Sequence, residues 1–292
     1  MQGRADMKES RTLKKSQSTT AGFQGEPGAF SQSAARKLLG ESVHTTAFSS
    51  FRDVFDALQR DRISHAVIPI ENTLHGSVLE NYDHILEYGF PIRGETSIRI
   101  AHQLIAMPNV SLRNITRVFS HPVALSQCRL FFQHNPGIEA TPFYDTAGSV
   151  KMLSQELPPD AAAIASADAA HIYSARILRK NIEDNRQNFT RFFLLTKQKS
   201  TVVYEAAPWK VSVTFTAANT PGSLFRAMAC LALRDLNVIK IESRPLVGKP
   251  WEYRFYVDFF GSMKDTAVQN ALANLSEMTQ ACHVLGNYQP TP

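Results

Sequence analysis

The chain has 292 residues, 43% hydrophobic and 20% charged, an ordinary globular composition with enough apolar surface for two cores. No apolar run approaches the ~18 residues of a bilayer span, and Cys128, Cys230 and Cys282 lack C-x-x-C spacing, which argues against a disulfide framework or zinc site and suits a reducing cytoplasm. The formal charge is +5, but residues 1–20 alone hold five basic against two acidic side chains, so the body is near neutral and a binder of nucleic-acid phosphates is not favoured.

Residues 1–19 read as a basic, Ser/Thr-rich, disordered leader with no apolar core for a secretory signal. "TAGFQGEPGAFSQSAARKLLG" then predicts a strand, a Gly-Glu-Pro-Gly turn and a helix from Ser31 to Leu39, stopped by Gly40. "SSFRDVFDALQR" is a helix capped by Ser50, with Asp53 at capping-box spacing and Phe51, Val54, Phe55 and Leu58 on one face. "HAVIPIENTLHGSVLENYDHIL" is a buried strand, a polar turn from Glu71 and a helix. "VFSHPVALSQCRLFF", "ATPFYDTAGSVKMLSQEL" and "AAAIASADAAHIYS" repeat the theme, with Pro122 in a first helical turn. This alternation predicts a mostly parallel sheet with helices on both faces. From Trp209 the order becomes β-α-β-β-α-β, the ferredoxin-like plan, after a polar boundary at 196–208.

Open parallel sheets bind ligands beyond the carboxyl ends of their strands, where helix N-termini expose N–H groups. The turns at that end hold Glu71-Asn72-Thr73, Ser120-His121, Asp145-Thr146, and Asn188 with Thr190-Arg191. Hydroxyls, amides and one arginine suit a small anionic ligand better than a metal or a nucleotide. There is no G-x-G-x-x-G or P-loop, and His75 and His121 lack ligand spacing. Taken singly, Ser120 and Asp145 read as helix caps, each worth about 1 kcal/mol. Cys128 reads as packing, and Gly25 and Gly28 as turn glycines. Thr190 is the least cap-like, because a strand follows it and its hydroxyl has no local backbone duty.

Together "QGEPGAFS", "PIENTLHGSV", "SHPVALSQC", "DTAGSV", "IASADAA" and "NIEDNRQNFTRF" resemble the prephenate dehydratase family, including the closely related arogenate dehydratases. "NTPGSLFRAM", "KIESRP" and "WEYRFYVDF" are similar to the ACT module attached to these enzymes. The resemblance runs in order from about residue 20 to 288, and no chorismate mutase-like domain is seen ahead of it. It implies an α/β fold: a two-lobed, periplasmic-binding-protein-like catalytic domain over 20–198, with its second lobe at about 100–185, and a ferredoxin-like βαββαβ ACT domain over 207–292.

The implied reaction is the decarboxylation and dehydration of prephenate to phenylpyruvate in phenylalanine biosynthesis, by a carbon–oxygen lyase without cofactor or metal. The implied catalytic residues are Thr190, Arg191 and Glu71, with Arg191 as a carboxylate clamp and Glu71 as a proton source only if burial raises its pKa. Substrate would meet Asn72, Thr73, Ser120, Gln127, Thr146 and Ser31. L-phenylalanine would act as effector on Asn219, Pro221, Gly222, Ser223, Leu224, Glu242, Ser243, Arg244 and Pro245, in a homodimer or homotetramer assembled through the ACT domains. The expected location is cytoplasmic, with no nucleic-acid or membrane partner. Two other readings stand beside this one: the same elimination on arogenate, and a noncatalytic amino-acid-sensing or solute-binding protein.

Overall fold

The computed structural model describes residues 19–198, 208–246 and 248–290. The expected leader, apart from Thr19, and most of the expected boundary at 196–208 lie outside the described residues. Among the described residues no helix is long and apolar enough to cross a membrane.

The first lobe contains β1 (Thr20–Gln24), α1 (Phe30–Leu39), β2 (His44–Phe48), α2 (Phe51–Gln59), β3 (His65–Asn72), β4 (Gly76–Ser77), α3 (Leu79–Tyr88) and β5 (Ile92–Arg99). Ser50 caps α2 as its spacing predicts, its Oγ accepting from the Asp53 amide at 3.2 Å. The second lobe contains β6 (Gln103–Ala106), β7 (Arg117–Ser120), α4 (Pro122–Ser126), α5 (Arg129–Gln133), β8 (Glu139–Pro142), α6 (Thr146–Glu156), β9 (Ala161–Ala165), α7 (Ala167–Ile172) and β10 (Arg176–Arg179). Its sheet runs in the order β10-β6-β9-β7-β8. The chain re-enters the first lobe as β11 (Phe189–Leu195), between β3 and β5.

The expectation of a mostly parallel sheet needs correction. In the first lobe β1, β2 and β3 are parallel, but β11 is antiparallel to both neighbours; in the second, β6 pairs antiparallel with β9 and β10. The route explains the first reversal: the chain leaves along β5 and returns along β11, so the returning strand runs against its neighbours. β11 is fixed by its alternation. Phe193 and Leu195 pack into the cluster around Phe55 and Ile68, while Phe192 and Leu194 pack on Ala34, Ala35 and Leu38 of α1. Burying each of these side chains is worth about 1.5–3 kcal/mol.

The third unit contains β12 (Lys210–Ala217), α8 (Ser223–Ala232), β13 (Val238–Pro245), β14 (Tyr253–Phe260), α9 (Thr266–Met278) and β15 (Ala281–Tyr288). Its strand order β13-β14-β12-β15, every neighbouring pair antiparallel, is ferredoxin-like. One face buries Val211, Val213 and Phe215 under α8 and α9. On the other, Tyr256 and Tyr288 share a cluster with Tyr82 and Phe193 of the first lobe. β15 also pairs with β5 at Gly286↔Ile92, so the two units share one ten-stranded sheet. Gly286 permits this approach, because a β-carbon there would lie 2.4 Å from the Ile92 carbonyl oxygen.

Candidate functional site

The alternation of β11 and β3 sorts the polar residues of the motif onto two faces. Thr190 pairs with Asn72, and Arg191 with Glu71. Thr190 and Asn72 line a cavity of about 320 Å³ between the lobes. Asn72 is held by an Asx turn, its Oδ1 accepting from the amides of Leu74 and His75 at 3.0 and 3.1 Å. Its Nδ2 donates to Asn188 Oδ1 at 2.7 Å and to Thr190 Oγ1 at 3.0 Å. The Thr190 oxygen therefore accepts from Asn72, and among the described residues its own proton is bound to no acceptor. Asn188 is fully buried and orients Asn72.

Ser31 and Thr146 also line this cavity, at the first turns of α1 and α6. Among the described residues no side chain caps α1, so the N–H groups at its very start can donate to an anion. Asp145 caps α6 instead, its Oδ1 accepting from the Gly148 amide at 2.7 Å, and burial raises its pKa above the ordinary carboxyl value. Gln127 ends α4 and faces the cavity; its Oε1 accepts from His102 Nε2 at 2.7 Å, leaving the amide N–H₂ for the cleft. Burial lowers the His102 pKa, keeping the ring neutral. Ser166 Oγ, on the second lobe, donates to Gly28 O at 2.6 Å, and Ser33 Oγ, on the first, donates to Asp168 Oδ2 at 2.7 Å, so these bonds bridge the lobes.

Several expected site residues lie elsewhere. Arg191 turns its guanidinium away from the cleft, with Nε donating to Glu95 Oε2 at 2.7 Å, Nη1 to Asp258 Oδ2 at 2.6 Å and Nη2 to Tyr288 Oη at 3.1 Å. Burial works against its charge, but Asp258, Tyr288 and Glu95 outweigh that and hold its pKa above the ordinary arginine value. The carboxylate-clamp expectation is corrected by strand alternation: next to Thr190 means on the opposite face. Glu71 goes with it: it pairs with Arg191 across the strands and lies 3.0 Å from Lys240 Nζ of the third unit, away from the face that carries Thr190.

Ser120 is fully buried and its Oγ donates to Ile164 O at 2.6 Å, a tie between β7 and β9. Thr73 is exposed; its hydroxyl donates to Gln187 O at 2.9 Å and accepts from the Phe189 amide at 3.0 Å. Cys128 is buried, and burial pushes its thiol up, which suits packing. The carboxylates ahead of β11 are also structural. Glu183 accepts from Arg99 Nη2 at 2.5 Å and the His102 amide at 2.9 Å, and Asp184 accepts from the Arg129 and Leu130 amides at the start of α5.

Sequence reasoning misses Phe30, Ser77, Val78 and His102 as lining residues and passes over His75 and His121, which lie there too. For His102 the one signal is its place at the crossing between the lobes.

In the third unit, Asn219, Ser223 and Leu224 line a cavity of about 170 Å³ with Trp251, Tyr253 and Phe255. Those aromatic residues recur at period two in "WEYRF", the spacing that puts them on one face of a strand. Pro221 and Gly222 sit in the same loop, Gly222 at φ 77°. Glu242 and Arg244 do not join it. They point at the first lobe, Glu242 accepting from Ser77 Oγ at 2.5 Å and Arg244 pairing with Asp83. Alternation leaves Ser243 and Pro245 on the exposed face of β13.

A model of the prephenate dehydratase family matches residues 21–200. Over 275 residues the chain is 39% identical to arogenate dehydratase/prephenate dehydratase 2, chloroplastic, of Arabidopsis thaliana, covering 91% of this chain and 71% of that one. The prephenate dehydratase of Arthrobacter aurescens in complex with L-Phe is similar with a TM-score of 0.83 and 29% identity, over 92% of this chain and 89% of that one. A structure described as GqqA, a novel type of quorum quenching acylase, has a TM-score of 0.85 and 30% identity, over 94% and 98% of the two chains.

Proposed function

The chain belongs to the prephenate dehydratase family, and from that premise we propose that its cleft converts prephenate to phenylpyruvate in phenylalanine biosynthesis. The ring carboxylate leaves as CO₂, the electron pair of its bond enters the ring, and the C4–O bond breaks. The departing hydroxide takes up a proton as water, and aromatisation supplies the driving force. The protein therefore holds a dianion and stabilises one leaving oxygen.

The observation that carries this reading is the bond from Asn72 Nδ2 to Thr190 Oγ1. Because Asn72 occupies the acceptor side of that hydroxyl, the proton is directed into the cleft, where it donates to the leaving oxygen. One well-aimed donor is worth about 3–4 kcal/mol in a transition state. The first turn of α1 with Ser31, Thr146 and the Gln127 amide meet the carboxylates. This set is all neutral donors and helix ends, which bind charge without a competing salt bridge.

Purified Thr190→Ala and Thr190→Ser test the assignment through phenylpyruvate formation. The alanine variant should lose turnover by about 10²–10³-fold and the serine variant should keep much of it. Wild-type turnover in Thr190→Ala would overturn it. Running arogenate beside prephenate decides between the two substrates. An acylase reading, as that description has it for GqqA, needs an activated nucleophile, yet Thr190 Oγ1 is bonded to an amide donor and not to a base.

We read the third unit as an ACT regulatory domain that answers to L-phenylalanine, the ligand named with the Arthrobacter aurescens relative. The loop Asn219–Leu224 with its small aromatic cavity is the seat favoured for it. Self-association belongs to the same reading: β13 is an open sheet edge with Ile239 and Ile241 exposed, and Phe225 and Leu233 are exposed on or beside α8. A cytoplasmic location is proposed on the three free cysteines.

A further inference from the structure

We infer that Arg191 is a positioning residue for Thr190, and that the third unit, through Asp258 and Tyr288, sets where the Thr190 hydroxyl points. The inference rests on Thr190 being the donor to the leaving oxygen. Behind β11 lies a nearly dry polar layer. Glu95 is 4% and Asp258 3% exposed. Glu95 binds Arg191 with one oxygen and Lys210 with the other. Asp258 binds Arg191 with Oδ2 and takes the Ser212 hydroxyl on Oδ1 at 2.5 Å, and Ser212 Oγ lies 2.7 Å from Tyr288 Oη.

The four charges are two cations and two carboxylates, so the layer is neutral as a set and unbalanced when any one is removed. Arg191 and Glu95 come from the first lobe; Lys210, Asp258, Ser212 and Tyr288 come from the third unit. A planar guanidinium with three partners in fixed directions fixes the rotation of its own strand, and on β11 the next residue is Thr190.

The same grip is repeated beside it. Lys240 Nζ lies 3.0 Å from Glu71, the neighbour of Asn72, and donates at 2.9 Å to Ser77 of the cleft wall, which also binds Glu242. Both strands that supply the Asn72–Thr190 pair are thus held from behind by β13, β14 and β15. A substrate clamp would face the cleft; this arginine faces the other domain.

The test compares Asp258→Asn, Tyr288→Phe and Arg191→Lys in the full-length protein, with melting and circular dichroism checking the fold. A misplacement of about 1 Å at a reacting group costs up to about 10²-fold. Asp258→Asn should therefore lower kcat by about 10–100-fold, with KM for prephenate changed less than about twofold, since Ser31, Gln127 and Thr146 are untouched. Tyr288→Phe removes one hydroxyl and should act in the same direction, by about 3–10-fold on the same reasoning; it decides the matter if Asp258→Asn does not fold. In a Thr190→Ala background, Asp258→Asn should lower the residual rate no further, because its effect passes through the hydroxyl.

Folded Asp258→Asn and Tyr288→Phe with wild-type kcat would overturn the inference while Thr190→Ala is inactive and the proposed function stands. Arg191→Lys with a much raised KM and unchanged kcat would overturn it in favour of the clamp. If Thr190→Ala itself keeps wild-type turnover, both readings fall.

Discussion

Neighbouring residues in β11 do different work because a strand alternates. Thr190 meets the cleft and Arg191 meets Asp258 and Tyr288 of the third unit. In the proposed reading the Thr190 hydroxyl is a directed donor only while Asn72 fills its acceptor side. Asn72→Ala should therefore lower kcat by roughly 10-fold or more, as a transition-state donor loses its aim; steady-state kinetics on prephenate checks it. His102 offers a second test at this scale. Burial lowers its pKa, so as pH falls through about 6.5 the unfolded chain takes up the proton before the folded one does. This contribution is fully present above that pH and is lost toward the folded pKa, at up to about 1.4 kcal/mol per pH unit. The melting temperature should drop between about pH 7 and 5, with a shallower slope in His102→Gln. His65, which burial also lowers, accounts for part of what remains.

At the scale of elements, two close approaches decide the geometry. Gly28 (φ 93°) meets α7, where a β-carbon would lie 2.6 Å from Ala169 Cα. It is also the acceptor for Ser166, so it joins the α1 turn of one lobe to the α7 cap of the other. Gly28→Ala should cost stability and hold the lobes apart, raising KM more than it lowers kcat; paired melting and kinetic measurements check this. Gly286 lets β15 reach β5. Gly286→Val should open that junction and lower the melting temperature of the whole chain, since the same sheet runs through both units.

For the molecule as a whole, the cleft, the shared sheet and the polar layer behind β11 form one connected object. The proposed response to L-phenylalanine belongs to this connected object and not to a single residue. L-phenylalanine titrated into the protein should bind, lower turnover and favour a larger species in size-exclusion chromatography. A titration with no heat, no rate change and no change in elution volume would count against the regulatory reading. Trp251→Ala, which alters the small cavity at Asn219–Leu224, should weaken that binding while leaving uninhibited turnover near wild type.

Much of this was legible in the order of the residues alone. Local rules named the helix capped by Ser50, the helix stopped by Gly40 and the β-α-β-β-α-β order, because these depend on residues a few positions apart. The gathering of Asn72, Thr146, Gln127, Ser31 and Thr190 was also legible, through the ordered motifs. Which way each polar side chain faces, and what meets it there, was settled only by the folded chain. Ser120 and Thr73 were spent on backbone ties, and Glu71, Arg191, Glu242 and Arg244 were claimed by the domain interface. The physical reason is range. A strand's alternation is written locally, but whether its second face meets solvent, a helix or another domain is settled by residues a hundred positions away.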